Sequence, residues 1–188
     1  MTATTATPTS ASAQSTVFTV LFAVSICHGI NDTMQAVLLS IYPLLRDNYA
    51  LTFAQVGMIT LVFQVTASIL QPFVGTFTDK YPLPYALPVA PVCTLSGLLL
   101  LANAHSYAMI LLAPAMIGVG SSIFHPDASR VARLSAGGRF GFAQSTFQVG
   151  GNVGTAIGPL LAAAIVLPRG QGAISWFAVL AAAAFVLL

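Results

Sequence analysis

Charged residues are scarce in this chain of 188 residues: 5% are Asp, Glu, Lys or Arg, whereas 57% are hydrophobic. Soluble domains carry about a quarter charged residues, so the composition excludes an ordinary soluble domain and indicates an integral membrane protein. The net charge is only +2, and no basic patch with interleaved aromatic residues is present. This argues against a nucleic-acid partner.

Cysteine is rarer still, with two residues in the chain. Cys27 and Cys93 both lie in apolar stretches, where isolated thiols are usually small core residues, so we expect neither a disulfide nor a redox pair. Residues 1–15 are uncharged and rich in Thr, Ala and Ser, which predicts a disordered tail. No basic segment precedes the first apolar run, and this argues against a secretory signal.

After the predicted tail, short polar segments divide residues 16–188, the predicted six-helix bundle, into apolar stretches. A bilayer requires about 20 apolar residues per helix, and we predict membrane-spanning helices at about 17–45, 53–77, 86–102, 107–128 and 140–167, with a sixth from near Ile174. The fold class is therefore all-α integral membrane, with six transmembrane helices. Only about fifteen residues remain for the sixth helix, so we expect a fragment of a longer chain rather than an incomplete helix.

Lysine and arginine placement predicts the orientation. If the N terminus is cytoplasmic, four basic residues follow the second and fourth helices on the inside, and two lie in the outer loops. This distribution agrees with the positive-inside rule. The inner residues are Lys80, Arg130, Arg133 and Arg139, and the outer ones are Arg46 and Arg169.

The first predicted helix carries a polar group in an apolar setting. His28, Asn31, Asp32 and Gln35 are spaced by three and four residues, so they share one helix face. A carboxylate facing lipid costs at least ~2.5–3.5 kcal/mol. We therefore expect Asp32 to face a watery cavity and to bind protons, with the other three residues tuning it or contacting substrate. The alternative is a structural hydrogen bond from Asp32 to a neighbouring helix.

Two further sets of residues belong to the predicted bundle. Gln64, Gln148 and Asn152 are weaker candidates for the wall of the cavity. The fifth helix contains glycines at every fourth position, which form a smooth stripe for close packing of another helix, and a proline that can kink the helix just beyond it. These residues are Gly150, Gly154, Gly158 and Pro159.

A third set lies near the predicted inner ends of the helices. Gly75 and Asp79 share a helix face, and Lys80 follows them. Asp79 can cap the N terminus of a neighbouring helix or pair with an arginine there, and either contact would latch the two helices together. Asp127 and Arg130 can pair at a spacing of three. The alternative for both pairs is a set of solvated charges that contribute little to stability.

A metal site and an enzyme are less favoured. His28, Asp32 and His125 include metal-ligand types, but His28 is predicted to lie deep in the membrane and His125 near its inner surface, so we expect no metal site. An enzyme that uses His28 and Asp32 as a base pair needs a nucleophile within reach, and Cys27 points away from the polar face. We expect neither an enzyme nor a cofactor.

Several motifs together resemble a known transporter family. Gly75-x-x-x-Asp79-Lys80 is similar to the loop signature between helices two and three of the major facilitator superfamily, and the segment 150–159 resembles the helix-five motif of its drug/proton antiporters. More narrowly, segments 28–32, 70–72, 78–82, 120–126 and 147–152 resemble the fosmidomycin-resistance group of bacterial efflux carriers. The superfamily loop normally continues with Gly and two basic residues, whereas here Tyr81 to Pro84 follow, a variant which that group shares.

The resemblance implies a fold and a function. The superfamily has twelve helices in two six-helix halves, and the match covers only the first half, from about Thr16 to Leu188. It implies a secondary active transporter of a bacterial plasma membrane that exports fosmidomycin-like or other small drugs in exchange for protons, with Asp127 as a partner of the Asp79 loop. The partners expected are a small-molecule substrate, protons, lipid and the missing C-terminal half, or a second copy in a dimer of halves. The alternatives are a metabolite carrier of the same fold and an inactive half-length remnant.

Overall fold

The computed structural model describes residues 15–81 and 83–188, and these residues form helices without strands. The predicted disordered tail thus lies, apart from Ser15, outside the described residues, as does Pro82 of the predicted tight loop. The all-α fold class is confirmed. The helices are α1 (Phe18–Ser40), α2 (Tyr42–Asn48), α3 (Phe53–Lys80), α4 (Ala86–Ala102), α5 (Tyr107–Leu134), α6 (Phe140–Arg169) and α7 (Gln171–Leu187).

Helix length and hydropathy suit a membrane. Three of the described helices, α3, α5 and α6, are long and apolar enough to cross a bilayer, while α4 and α7 are apolar but shorter. The 23 residues of α1 extend over about 35 Å at 1.5 Å per residue, which exceeds the ~30 Å hydrocarbon core. Of the described helices, α1, α3, α5 and α6 are therefore long enough to cross a bilayer, α4 and α7 are shorter apolar helices, and the short α2 follows α1.

The first predicted helix is divided in two. Helix α1 ends at Ser40, and α2 begins at Tyr42 with Pro43 in its first turn. A proline has no backbone N–H and its ring displaces the carbonyl four residues earlier, so Pro43 ends one helix and is well placed to start another. The expectation of one helix over 17–45 is wrong.

Three other predicted helix ends lie further along the chain than expected. Helix α3 continues to Lys80 instead of residue 77, α5 to Leu134 instead of 128, and α6 to Arg169 instead of 167. Hydropathy ends where the lipid ends, whereas backbone hydrogen bonding continues into the polar residues beyond it. In α6, Pro159 lies inside the helix and lacks a backbone donor, and a π-helical turn follows at Ala162–Val166; both features are known sites of helix kinks.

Helix α6 packs against α1 through its glycine stripe. A Cβ atom on Gly150 or Gly154 would collide with the backbone carbonyl oxygen of Ser25 or Gly29 of α1, and one on Gly158 would stand 2.5 Å from the Cβ of Ala36. The two backbones therefore approach so closely that only glycine fits. This contact fixes the rotation of α1 about its axis and thereby decides where its polar face points.

The start of α1 is tied to the connection between α5 and α6. The N–H of Val17 donates to the carbonyl of Ser135 at 2.9 Å, and the hydroxyl of Thr16 donates to the carbonyl of Ala136 at 2.8 Å. The beginning of α1 and the end of α5 therefore lie at the same end of the bundle. Depth along both helices can be measured from this shared end.

Candidate functional site

Asp32 lies between two imidazole rings that belong to different helices. Its Oδ2 is 3.3 Å from Nε2 of His28, one turn earlier on α1, and its Oδ1 is 3.3 Å from Nε2 of His125 on α5. His28 is 2% exposed, Asp32 16% and His125 24%, so the group is buried on one side and reachable from the other. A carboxylate between two imidazoles binds cations, including protons.

Backbone carbonyl groups orient both rings. Nδ1 of His28 lies 2.8 Å from the carbonyl oxygen of Phe147 on α6, and Nδ1 of His125 lies 2.9 Å from that of Ser121. A carbonyl oxygen can only accept, so each Nδ1 carries the hydrogen and donates it. The His28 ring also stacks on the ring of Phe147, with centroids 4.0 Å apart. Both Nε2 atoms are thereby directed at Asp32.

The predicted difference in depth between His28 and His125 is wrong. His28 is ten residues from the start of α1, and His125 is nine from the end of α5; at 1.5 Å per residue these are about 15 and 14 Å from the shared end of the bundle. The prediction failed because it ended α5 near Ala128 and so placed His125 at the membrane surface. The structure brings His28, Asp32 and His125 together, with ligand atoms within 4.8 Å of one another.

Two amides complete the surroundings of the carboxylate. Asn31 donates from Nδ2 to Oδ1 of Asp32 at 3.2 Å, and Gln35 donates from Nε2 to the same oxygen at 3.1 Å. The polar face predicted for α1 is therefore a single hydrogen-bonded group around Asp32. Its donors offset part of the cost of burying a carboxylate.

A cavity of about 480 Å³ adjoins this group, and both His28 and His125 line it. Gln71 of α3, together with Gln144 and Gln148 of α6, supplies further polar atoms to its wall. Gln71 lies seven residues after Gln64, so the sequence pattern contained a signal for it. The cavity is partly polar and adjoins a half-buried carboxylate, as expected of a binding site.

The weaker cavity candidates are less closely placed. Gln148 lines the cavity, and its Nε2 donates to Oδ1 of Asn152 at 3.4 Å. Asn152 and Gln64 are exposed, and neither has a described contact with Asp32. The structure thus joins the α1 candidates and Gln148 to one site and leaves Asn152 and Gln64 outside it.

Gly151 is a site residue that sequence reasoning missed. A Cβ atom there would stand 2.5 Å from Cε1 and 2.6 Å from Nε2 of His28, and 2.7 Å from Oδ2 of Asp32. The position therefore has no side chain because the histidine and the carboxylate occupy that space. A second glycine directly after the stripe member Gly150 was the only sequence signal.

A second polar group connects α3 to α5. Nε of Arg130 lies 3.3 Å from Oδ1 of Asp79, and its Nη2 lies 2.7 Å from Oγ1 of Thr78 and 2.5 Å from Oδ1 of Asp127. The Thr78 hydroxyl also donates to Asp127 at 3.0 Å. Asp127 and Thr78 are buried, whereas Asp79 is exposed. One guanidinium therefore holds two carboxylates from two helices.

The other residues predicted near this contact have smaller parts in it. A Cβ on Gly75 would meet the side chain of Pro126 at 3.4 Å, so α3 and α5 are in van der Waals contact there. The ammonium of Lys80 lies 5.3 Å from the ring centroid of Tyr81, apart from the carboxylates that Arg130 binds. Thr78 was missed, because its role depends on the neighbouring helix.

Comparison with known proteins places this arrangement in a family. The family model described as Major Facilitator Superfamily matches residues 10–188. The chain is 56% identical over 173 residues to the "Fosmidomycin resistance protein" of Escherichia coli (strain K12). The aligned region covers 92% of this chain and 43% of that protein. It is 46% identical to an uncharacterized MFS-type transporter of Bacillus subtilis (strain 168), over 92% of this chain and 42% of the relative.

A more distant relative is a probable nitrate transporter of Staphylococcus carnosus (strain TM300), 23% identical over 75% of this chain and 35% of the relative. The chain thus spans less than half the length of the curated relatives it matches. These matches support transport rather than catalysis, and a multi-pass protein of the bacterial inner membrane. With its all-helical fold and its membrane-length helices, the chain belongs to the major facilitator superfamily.

Proposed function

We propose that this chain is half of a proton-coupled exporter of fosmidomycin-like or other small drugs, and that Asp32 is its proton-binding residue. The observation that carries the proposal is a carboxylate in the middle of a membrane helix, held between His28 and His125 at the edge of a cavity. Ionisable residues inside the membrane usually mark an ion or substrate path. The 56% identity to a fosmidomycin resistance protein supports the class of cargo.

The remaining candidates have supporting roles in this proposal. His28, Asn31 and Gln35 orient and stabilise the charged form of Asp32, and Gln148 contributes to the cavity wall. The contacts of Arg130 with Asp79 and Asp127 hold α3 against α5 in one conformation and must break when the bundle rearranges. In transporters of this superfamily the substrate binds between two six-helix halves, so the cavity is completed by a second six-helix unit or by a second copy of this chain. The N terminus is cytoplasmic.

Asp32→Asn tests the proposal. The protein, with any sequence that its gene adds after Leu188, is produced in a fosmidomycin-sensitive bacterium, and intracellular fosmidomycin is measured with and without a protonophore. We expect export that depends on the proton gradient and is lost in Asp32→Asn, because the amide cannot bind a proton. Asp47→Asn, an exposed acid of α2, is the matched control and should export normally. Unchanged gradient-dependent export by Asp32→Asn would refute the assignment.

A metabolite carrier of the same fold is the second candidate, since the remote relative is named a probable nitrate transporter. Counterflow of labelled anions into proteoliposomes distinguishes the two candidates. Export of fosmidomycin without exchange of small anions favours the drug carrier, and the reverse result favours the metabolite carrier. Absence of both activities, with the protein folded and inserted, favours an inactive half.

A further inference from the structure

We propose that His28, Asp32 and His125 form a binding site for a divalent transition-metal ion, with Zn²⁺ as the ion of choice. The three residues come from α1 and α5 and meet at the edge of the cavity, with ligand atoms within 4.8 Å of one another. The inference concerns binding and stands independently of transport. It reverses the expectation of no metal site, which depended on the incorrect depth of His125.

Hydrogen bonds at Nδ1 of both histidines leave each Nε2 with a lone pair that points at the Asp32 carboxylate. Each Nδ1 donates to a backbone carbonyl, that of Phe147 or Ser121, so the neutral ring presents the lone pair of Nε2 to Asp32. Lone pairs of two nitrogens and of a carboxylate then face one another at 3.3 Å, which is unfavourable unless a positive species lies among them. Protons on both rings or one metal ion meet this requirement.

The spacing suits zinc. Zn–N and Zn–O bonds of about 2.0–2.2 Å at tetrahedral angles place neighbouring ligand atoms about 3.4 Å apart. Here Nε2 of His28 lies 3.3 Å from Oδ2 of Asp32, Nε2 of His125 lies 3.3 Å from Oδ1, and one ligand atom from each of the three residues fits within 4.8 Å. A small adjustment of these side chains would bring the three ligand atoms to the separations of a zinc site.

The surroundings also resemble those of known metal sites. Histidines that bind metals usually donate their second ring nitrogen to a carbonyl or carboxylate, and ligating carboxylates are themselves hydrogen-bonded. Both features are present: two carbonyls hold the rings, and Asn31 and Gln35 donate to Oδ1 of Asp32. Gly151 places no side chain against Nε2 of His28 or Oδ2 of Asp32, from which a Cβ atom would stand only 2.6 and 2.7 Å.

The ligand set indicates the class of metal. Two imidazoles and one carboxylate suit zinc and neighbouring first-row ions, whereas Mg²⁺ and Ca²⁺ prefer oxygen alone. Three protein ligands leave a fourth tetrahedral position. The cavity that His28 and His125 line adjoins these residues, so water or a small anionic molecule from it could supply the fourth ligand.

The test measures metal binding by the purified protein in detergent, with any sequence that its gene adds after Leu188 and with affinity tags removed. Isothermal titration with Zn²⁺ against a competing chelator gives affinity and stoichiometry, and the visible absorption of Co²⁺ reports tetrahedral coordination. We expect one ion per chain and release of protons on binding. His125→Gln and Asp32→Asn should each weaken binding at least tenfold, since even loss of an outer-shell partner costs about 10–100-fold.

His105→Gln is the matched control because His105 is an exposed histidine of the connection between α4 and α5, and its affinity should equal that of the unchanged protein. Size-exclusion chromatography checks that each variant is folded. Absence of Zn²⁺ binding by the unchanged protein overturns the proposal. Equal affinity of His125→Gln and His105→Gln overturns it as well. Because no result depends on export, failure of the metal site is distinguishable from failure of the proposed transport function.

Discussion

Gly151→Ala should damage the site while leaving most of the helix packing intact. The added Cβ would lie 2.5 Å from Cε1 and 2.6 Å from Nε2 of His28, whereas ordinary contacts begin at 3.4 Å, so the ring must move by about 0.9 Å. Nδ1 of His28 is 2.8 Å from the Phe147 carbonyl, and a displacement of this size away from that carbonyl would take the hydrogen bond beyond its normal range. His28 is buried and stacked on Phe147, so it has little room to adjust.

The expected magnitudes follow from these contacts. An unsatisfied buried polar group costs about 1–3 kcal/mol, and the gain of helix propensity from Gly to Ala returns up to about 1 kcal/mol. Net destabilisation is therefore about 0–3 kcal/mol. Function should suffer more, because a misplacement of about 1 Å at a reacting group can cost about 100-fold. We expect at least a tenfold loss of gradient-dependent export.

Thermal unfolding in detergent and export in cells measure the two effects separately. Gly141→Ala is the matched control, since Gly141 lies on the same helix and an added Cβ there meets no atom within 4 Å. It should be as stable as the unchanged protein or slightly more so, with normal export. If Gly151→Ala behaved like Gly141→Ala in both assays, the crowding of His28 and Asp32 would not matter and the reasoning would be refuted.

Three further predictions concern other contacts. Arg130→Lys should raise the rate of amide hydrogen exchange at the end of α3, because an ammonium cannot reproduce the guanidinium contacts with Asp79, Thr78 and Asp127. The control is Arg133→Lys, which should leave this rate unchanged, since the guanidinium of Arg133 lies over the Phe140 ring. Gln171→Leu should lower the free energy of unfolding by about 1–3 kcal/mol, since Nε2 of Gln171 donates to the carbonyls of Leu101 and Ala104 at 2.8 and 3.2 Å. The control is Gln148→Leu, because Gln148 is exposed. Equal stability of the two variants would contradict the prediction. If both proposals hold, Zn²⁺ should inhibit export by competing with protons at Asp32, and His125→Gln should be less sensitive to Zn²⁺ in the same assay.

Membrane character was readable from composition because an apolar chain with so few charges has no other stable setting. The positions of the apolar helices were readable too, since each bilayer crossing needs a long apolar stretch and the polar segments between them interrupt it, but the separate helix α2 was not. The residues at which the helices end could not be predicted from the sequence. Hydropathy reports where lipid stops, while Pro43 and the polar turns after Ala128 act on backbone hydrogen bonds, which continue or stop for other reasons.

The polar face of α1 illustrates what residue spacing along a helix can predict and what it cannot. Spacings of three and four placed His28, Asn31, Asp32 and Gln35 on one side, because an α-helix has 3.6 residues per turn. Nothing in those spacings said which helix would face them. That depended on the close approach of α1 and α6 along the glycine stripe, which turns the polar face toward α5 and the cavity.

The sequence by itself determined that this is a helical membrane protein, that Asp32 must avoid lipid, and that its motifs resemble those of one transporter superfamily. Only the tertiary structure decided that His125 reaches Asp32, that Gly151 leaves room for both, and that Arg130 joins two carboxylates. The physical reason is that local periodicity and solvation act along a single helix. The depth of one helix relative to another is set by packing and by loop contacts between residues more than a hundred positions apart, such as Val17 and Ser135.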